Sequence, residues 1–244
     1  MPEINNMKFT FNETSIFNEM ADLGHTFIIN NVLGRGPLGR EMNLVSESGM
    51  DGARFIDSQL PTREIEVIYT IVSKNLIAHR KAEADLSGLL FSLNPEKLSF
   101  NDQEGYYEAM VSEVSIDSQD RYVSTGTILF TCLQPFRYTG PVEVQASIQL
   151  DAETNYYAEP VISFTSEATE KITIVVNGYE LVIEKEIPAG AEIVIDSVNQ
   201  EIRQDGELVV LEASGYFPAL FKTNTLSIPN ISSATIRYEG RYST

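Results

Sequence analysis

Between Arg63 and Val72 apolar residues recur at every second position. Ile65, Val67, Tyr69 and Ile71 fall on one face, while Glu64 and Glu66 open the other and mark a solvated end. A period of two belongs to an extended strand with one buried side. The same pattern organises most of the chain. Met7–Phe11, Thr26–Val32, Lys97–Phe100, Tyr106–Val114 and Val123–Leu133 read as strands, with turns at Asn12, Asn101-Asp102 and Asp117–Asp120. From Val142 onward the reading is all β. Asn177-Gly178 joins Ile172–Val176 to Tyr179–Ile183, and Asp205-Gly206 joins Glu201–Arg203 to Glu207–Leu211. Both dipeptides tolerate the positive φ of two-residue hairpin turns. Strands about 8–12 residues apart with turns between them predict a β-sandwich.

One segment breaks the period. Leu76, Ile77, Leu86, Leu89, Leu90 and Leu93 sit at helical spacings among His79, Arg80, Lys81, Glu83 and Asp85, which predicts one amphipathic helix over about 75–91. Asn75 or Ser73 is placed to cap it, and Pro95 lies just beyond its end. Gln134–Pro141, with two prolines and a glycine around aromatic residues, reads as an ordered connector. The expected organisation is a domain of residues 1–139 and a second of residues 140–244. No internal repeat or low-complexity tract interrupts them.

Composition enters as exclusion. The chain has 17 Lys and Arg against 35 Asp and Glu, a net charge of −18. That balance opposes a nucleic-acid-gripping surface, which needs clustered Lys and Arg, and an anionic membrane face. Hydrophobic residues make up 43% of the chain, too many for acid-driven disorder. The charge is shared: residues 1–139 hold 11 basic and 19 acidic residues, net −8, and residues 140–244 hold 6 and 16, net −10. No run approaches the roughly 20 apolar residues of a membrane span. Met1–Asn6 has neither a basic nor an apolar segment of a signal peptide, so a cytoplasm-like compartment is expected.

Chemistry-bearing motifs are scarce. One cysteine, Cys132, forbids an intrachain disulfide and reads as core filler in an apolar strand. His25 and His79 lie 54 positions apart, with no zinc-binding spacing. His79 reads as a solvated helix residue and His25 as a loop or strand-edge residue. Gly34–Arg40 is glycine-rich but lacks the Gly-Lys-Ser/Thr ending of a phosphate loop, so it reads as an exposed or interface loop. No nucleophile elbow and no Asp-rich calcium loop occur. The expectation is a non-enzymatic chain with no catalytic residues, cofactor or metal. Tyr156, Tyr157 and Tyr216 are candidates for stacking a sugar, although aromatic pairs in sandwiches more often serve packing.

In their order, several strings resemble the distal tail protein family of siphophages. They are Gly49-Met50-Asp51-Gly52-Ala53 followed by Leu60–Val67, the helix with Arg80, Leu86, Leu89 and Leu90, then Leu98, Phe100 and Tyr107-Glu108-Ala109, and Phe130–Tyr138 with its Pro135-Phe136 pair. The second half adds Ala158–Phe164, Glu192–Asp196, Phe217–Leu220, Asn224–Ile228 and Ile236–Tyr242. The resemblance covers nearly the whole chain and departs at Gln134, where the family often has an acidic residue.

The resemblance implies a mainly β fold. Its N-terminal part would be a β-sandwich-like ring domain with one α-helix and an extended arm, and its C-terminal part a galectin-like β-sandwich. It implies a structural virion protein at the phage tail tip, assembled in the bacterial host cytoplasm. There a homohexameric ring joins the tail-tube protein to the tail-tip or tail-associated protein and to receptor-binding or baseplate proteins. DNA passes through its central channel without specific binding, and no membrane is a partner. Subunit contacts are expected from the N-terminal arm, the loop Gly34–Arg40 and the stretch Glu47–Pro61, with Arg35, Arg40 and Arg54 as the interface cations. The alternative reading is a carbohydrate-binding module acting through the C-terminal sandwich.

Overall fold

The computed structural model describes residues 7–49, 51–145, 148–209, 213–228 and 231–243. Met1–Asn6, read above for targeting and as part of the arm, Met50 of the Gly-Met-Asp-Gly string, and Val210 and Leu211 at the end of the expected strand Glu207–Leu211 lie outside the described residues. The chain divides into two compact units, one reaching Arg137 and including Ser243, the other Tyr138–Tyr242.

The first unit contains β1 (Phe9–Phe11), β2 (Thr14–Ser15), α1 (Ile16–Asp22), β3 (Thr26–Leu33), β4 (Glu41–Val45), β5 (Arg54–Gln59), β6 (Arg63–Val72), α2 (Leu76–Leu90), β7 (Glu96–Phe100), β8 (Gln103–Asp120) and β9 (Val123–Cys132). Strand pairing is continuous in the order β3-β6-β9-β8-β7-β1-β2. The 18-residue β8 makes this possible, because its first half pairs with β7 and its second half with β9. Register shifts at Val111/Glu113 and Ile116/Ser118 mark bulges, which bend a strand and raise its twist. The two layers of the expected sandwich are therefore halves of one curled sheet. Its interior holds Phe9, Phe11, Phe27, Ile65, Val67, Phe130 and Cys132. The rings of Phe9 and Phe130 meet nearly edge-on at 5.7 Å.

Two helices close this core, not the single one expected. The short α1 buries only Ile16 and Met20, one i,i+4 pair, too brief a pattern to read as a helix from sequence. The longer α2 is capped by Asn75, whose side-chain oxygen accepts from the Ala78 amide at 2.9 Å. Its buried stripe is His79, Ala82, Leu86 and Leu90, while Leu76 and Ile77 are exposed. A second correction concerns β8: Asp117–Asp120 continue the strand, and the turn falls at Arg121-Tyr122, with Arg121 at φ 52°.

β10 (Arg137–Gln145) leads into the second unit, followed by β11 (Gln149–Asp151), β12 (Val161–Ser166), β13 (Ile172–Val176), β14 (Tyr179–Ile183), β15 (Glu192–Asp196), β16 (Glu201–Gln204), β17 (Glu207–Leu208), β18 (Ala213–Gly215), β19 (Thr223–Ser227) and β20 (Ile231–Tyr242). One sheet runs β17-β16-β15-β12-β20-β10 and the other β11-β19-β13-β14-β18. Both contribute to one core, Ile162, Phe164, Ile193, Ile195 and Ile236 from the first and Ile174, Val176, Leu181 and Leu226 from the second. The unit is thus a β-sandwich. Both sequence-read hairpins are present: Asn177 and Gly178 take φ 54° and 83°, and Asp205 and Gly206 take 49° and 86°.

Gly126 in β9 is the tightest point of the curled sheet. A Cβ there would lie 2.1 Å from the Ser115 carbonyl oxygen and 2.7 Å from the Tyr69 hydroxyl. Gly126→Ala should therefore cost about 1–3 kcal/mol, whereas Asn75→Ala should cost about 1 kcal/mol through the lost cap. Urea unfolding followed by circular dichroism measures both.

Candidate functional site

The first residue of β6 organises one end of the first unit. Arg63 falls in register with Ile65 and Val67 and is wholly buried. Its Nε donates to the Pro135 carbonyl at 2.9 Å, Nη1 to the carbonyls of Gly34 and Gly36 at 2.7 and 2.8 Å, and Nη2 to that of Ser243 at 2.9 Å. The guanidinium lies 5.6 Å from the Tyr107 ring centroid. Burial lowers its pKa, but an arginine starts so high that the group stays charged. A buried cation answered by carbonyls forms a rigid clamp on three separated segments. Sequence reading ranked Arg35, Arg40 and Arg54 above Arg63. The signal was present, since period two places Arg63 on the buried face.

The clamp sets the base of the loop Gly34–Arg40. Gly34 has φ 85°, and a Cβ there would lie 1.9 Å from the Glu64 carbonyl oxygen, so only glycine lets the loop approach β6. Arg35 folds back on Asp102 through two hydrogen bonds of 2.6 and 2.9 Å, its guanidinium 4.6 Å from the Phe100 centroid. The hydrogen bond from Arg35 holds the Asp102 carboxyl below its usual range. Arg40 donates through Nε to the Ser58 hydroxyl at 2.8 Å and through Nη2 to the Ser58 carbonyl at 2.9 Å, which ties the loop to β5. Arg54 lies exposed on β5 and has no ion pair among the described residues.

Between these anchors β4 and β5 form a two-stranded ribbon that joins neither core. It exposes Met42 (64%), Leu44, Val45, Phe55 (58%) and Ile56 (53%). The register shifts between Asn43 and Leu44, so Ile56, next to Phe55, is the unpaired residue of a bulge. A cavity of about 360 Å³ is lined by Glu41, Met42, Asn43, Asp57 and Gln59. The ribbon's strands were not read from sequence because their apolar residues do not alternate.

In the second unit, an open cleft of about 350 Å³ is lined by Tyr157, Glu159, Ser197, Gln200, Tyr216 and Phe217, among others. Tyr157 and Tyr216 are thus brought together at one site; Tyr156 is not in the lining but supports Tyr157, with ring centroids 4.9 Å apart. The Arg241 guanidinium lies 5.4 Å from the Tyr157 centroid and pairs with Glu159 at 2.6 Å. Tyr216 meets Tyr179 edge-on at 5.7 Å, and its amide donates to the Glu180 carbonyl at 2.9 Å. The Ser197 hydroxyl is buried and has no hydrogen-bond partner. Sequence reading named the tyrosines but missed Glu159, which precedes β12, and Ser197 and Gln200, which the turn between β15 and β16 delivers.

The remaining titratable groups are held in the first core. His79 is not solvated: it is fully buried in the α2 stripe, with Nδ1 3.3 Å from the Ser73 hydroxyl and Nε2 3.3 Å from the Glu83 carboxylate. His25 is buried too, its Nε2 2.8 Å from the Asp85 carboxylate. Burial pushes the Cys132 thiol up from 9.0 to about 12, and the Tyr69 hydroxyl from 10.0 to about 12. Among the described residues no group of three or more His, Cys, Asp or Glu is placed to hold a metal ion.

Arg63→Met should lower stability by about 3 kcal/mol or more, because it leaves the Pro135, Gly34, Gly36 and Ser243 carbonyls without their donor. Arg63→Lys should recover little, since an ammonium cannot span the same acceptors. Differential scanning calorimetry decides both. The raised pKa values of Cys132 and Tyr69 mean that both groups ionise first in the unfolded chain. The stability they confer is whole below about pH 9 and is lost as the pH rises toward about 12. A pH series of thermal melts should show that loss, and Cys132 should resist alkylation at pH 8 until the protein is unfolded.

Residues 22–132 match the model of the phage tail protein RIFT-related domain. None of the curated proteins matches the sequence. Among solved structures, the crystal structure of SPP1 Dit (gp 19.1), described as a paradigm of hub adsorption apparatus in phages infecting Gram-positive bacteria, aligns with a TM-score of 0.80 at 16% identity. That alignment covers 96% of this chain and 98% of the SPP1 chain. Chains of the phage p2 baseplate in its activated conformation, with strontium or calcium, align at TM-scores of 0.46 and 0.45. Their identities are 9% and 10%, covering 96% of this chain and 97% and 98% of theirs. Residues 22–132 are therefore similar to a phage tail protein RIFT-related domain, and the chain as a whole has the fold of SPP1 Dit.

Proposed function

We propose that the chain is a structural component of a phage tail, a hub that links the tail tube to the tail-tip or baseplate apparatus. In this reading residues 1–139 form a homohexameric ring, and residues 140–244 form a galectin-like sandwich on its outside. The role is assembly rather than catalysis. The protein belongs to the virion and is put together in the bacterial host cytoplasm. Its neighbours are its own copies, the tail-tube protein and tail-tip, receptor-binding or baseplate proteins.

The observation that carries this reading is the β4–β5 ribbon. A lone two-stranded hairpin is marginal in water, and this one exposes Met42, Leu44, Val45, Phe55 and Ile56. Such a surface calls for a partner. Ring closure would cover it with the neighbouring copy, since head-to-tail contacts close at fixed symmetry. Arg54, exposed on the ribbon and unpaired among the described residues, is the cation best placed to meet a neighbour's carboxylate. Arg35 and Arg40 are already engaged with Asp102 and Ser58 and would act by shaping the loop.

The net charge of −18 supports a conduit. A channel that passes DNA works best when it repels phosphate, and six such subunits multiply the field.

Size-exclusion chromatography with multi-angle light scattering should give a mass about six times 27.2 kDa, and negative-stain images should show an annulus. Phe55→Asp with Ile56→Asp should yield folded monomers, and Arg54→Glu should weaken the ring. A wild-type protein monomeric at high concentration, or a ring indifferent to the ribbon variants, would overturn the reading. Duplex DNA should migrate unshifted beside the assembled protein even at low salt, where any phosphate contact is strongest.

A further inference from the structure

The turn Asn177-Gly178 between β13 and β14 is the chain's single Asn-Gly step, and such a step carries chemistry of its own. The glycine amide nitrogen can attack the asparagine side-chain carbonyl carbon, because glycine puts no side chain in the way. Nδ2 leaves as ammonia, taking the proton that the attacking amide gives up, and a succinimide ring remains. Water then opens the ring at either carbonyl to leave aspartate or isoaspartate. The net change is one water taken up and one ammonia released.

Gly178 is exposed and Asn177 is half-buried, so burial does not keep water from this turn. Hydrogen bonds hold the side chain instead. Asn177 Oδ1 accepts from the Thr225 amide at 3.0 Å, while Nδ2 donates to Asn224 Oδ1 at 3.0 Å and to the Ala219 carbonyl at 3.4 Å. The Asn177 amide returns a bond to the Thr225 carbonyl at 3.0 Å. Turning the side-chain carbonyl carbon onto the Gly178 nitrogen breaks the three side-chain bonds together. The leaving nitrogen has both of its hydrogens engaged.

Asn224 is the fixed point of this arrangement. It is 1% exposed. Its Oδ1 also accepts from the Phe221 amide at 2.6 Å, and its Nδ2 donates to the carbonyls of Leu150 and Phe221 at 3.0 and 2.5 Å. A side-chain amide offers two donors and two acceptor sites, and here all four are used. Exchanging its oxygen and nitrogen would set donor against donor, so Asn224 is locked as the acceptor for Asn177. The products do not fit the same surroundings. Aspartate at position 177 turns an acceptor toward Asn224 Oδ1 and the Ala219 carbonyl, and isoaspartate adds a methylene to the backbone of a two-residue turn.

We propose that Asn177 is a latent deamidation site, that Asn224 is the latch holding it closed in the folded second unit, and that conversion opens this end of the sandwich. The proposal concerns the sandwich alone and is independent of ring assembly.

The test incubates the full chain at pH 8 and follows position 177 by peptide mapping with mass spectrometry. The chain unfolded in urea should convert there, and the native chain about a hundredfold more slowly, the factor for three hydrogen bonds opened together. Asn224→Ala should convert faster than wild type while still giving a cooperative thermal melt. Exchange of the Asn177 side-chain amide protons with solvent, read by NMR on the wild type, needs no variant to fold and should be similarly slowed. Asn177→Asp, the product made by mutation, should melt at a lower temperature. Native conversion at the unfolded rate, a folded Asn224→Ala chain as resistant as wild type, freely exchanging Asn177 amide protons, or an Asn177→Asp chain that melts with wild type would each overturn the proposal.

Discussion

A single guanidinium sets the geometry on which the first unit depends. Arg63 sits at the start of the central strand β6, and its charge is answered entirely by backbone carbonyls from Gly34, Gly36, Pro135 and Ser243. A carboxylate partner would have fixed one contact. Carbonyls fix four points on three segments of chain, because a buried cation tolerates no lost acceptor. The loop base that launches the β4–β5 ribbon, the end of β9 where the connector departs and the return of Ser243 are all tied to one planar group. Arg35 and Asp102 then brace the loop's first residues from the outside.

Outside the two cores ordinary folding rules are relaxed. Inside the sheet apolar alternation is strict, and Gly126 is small because the Tyr69 hydroxyl and Ser115 carbonyl occupy the space of a side chain. On the ribbon the alternation breaks down and Met42, Phe55 and Ile56 face water. In the second unit the sandwich core is complete, yet Ser197 is left without a partner at the edge of a tyrosine-lined cleft. Local rules that fail in an otherwise consistent fold are expected at functional or strained sites.

Much of this was legible in the sequence, and the rest was hidden for identifiable reasons. Period two gave β6 its exact ends, and the Asn-Gly and Asp-Gly pairs gave two hairpins, because both signals are local. The helix α2 was legible as a helix but its face was misread. Leu76 and Ile77 suggested the stripe, whereas His79 and Ala82 occupy it, since hydrophobicity alone ranks a histidine as polar even where Ser73 and Glu83 stand ready beside it. The second helix, α1, offered one buried pair and no more. Of the candidate site, the tyrosines could be named from sequence because aromatic residues announce themselves. Glu159, Ser197 and Gln200 could not, since a serine becomes informative only when the fold denies it a partner.

The contact between Arg63 and Ser243 spans 180 positions, and this bears on the order of events during synthesis. On a ribosome the curled sheet can close as soon as β9 emerges, with all its core residues in place. The clamp cannot. One acceptor of its buried cation stays missing until the whole sandwich has been translated and the chain has come back to its starting point. A shortened chain therefore carries a loop base that is short of one restraint, next to the ribbon that would engage other copies. The full set of restraints on the loop base therefore exists only once residue 243 has been added to the chain.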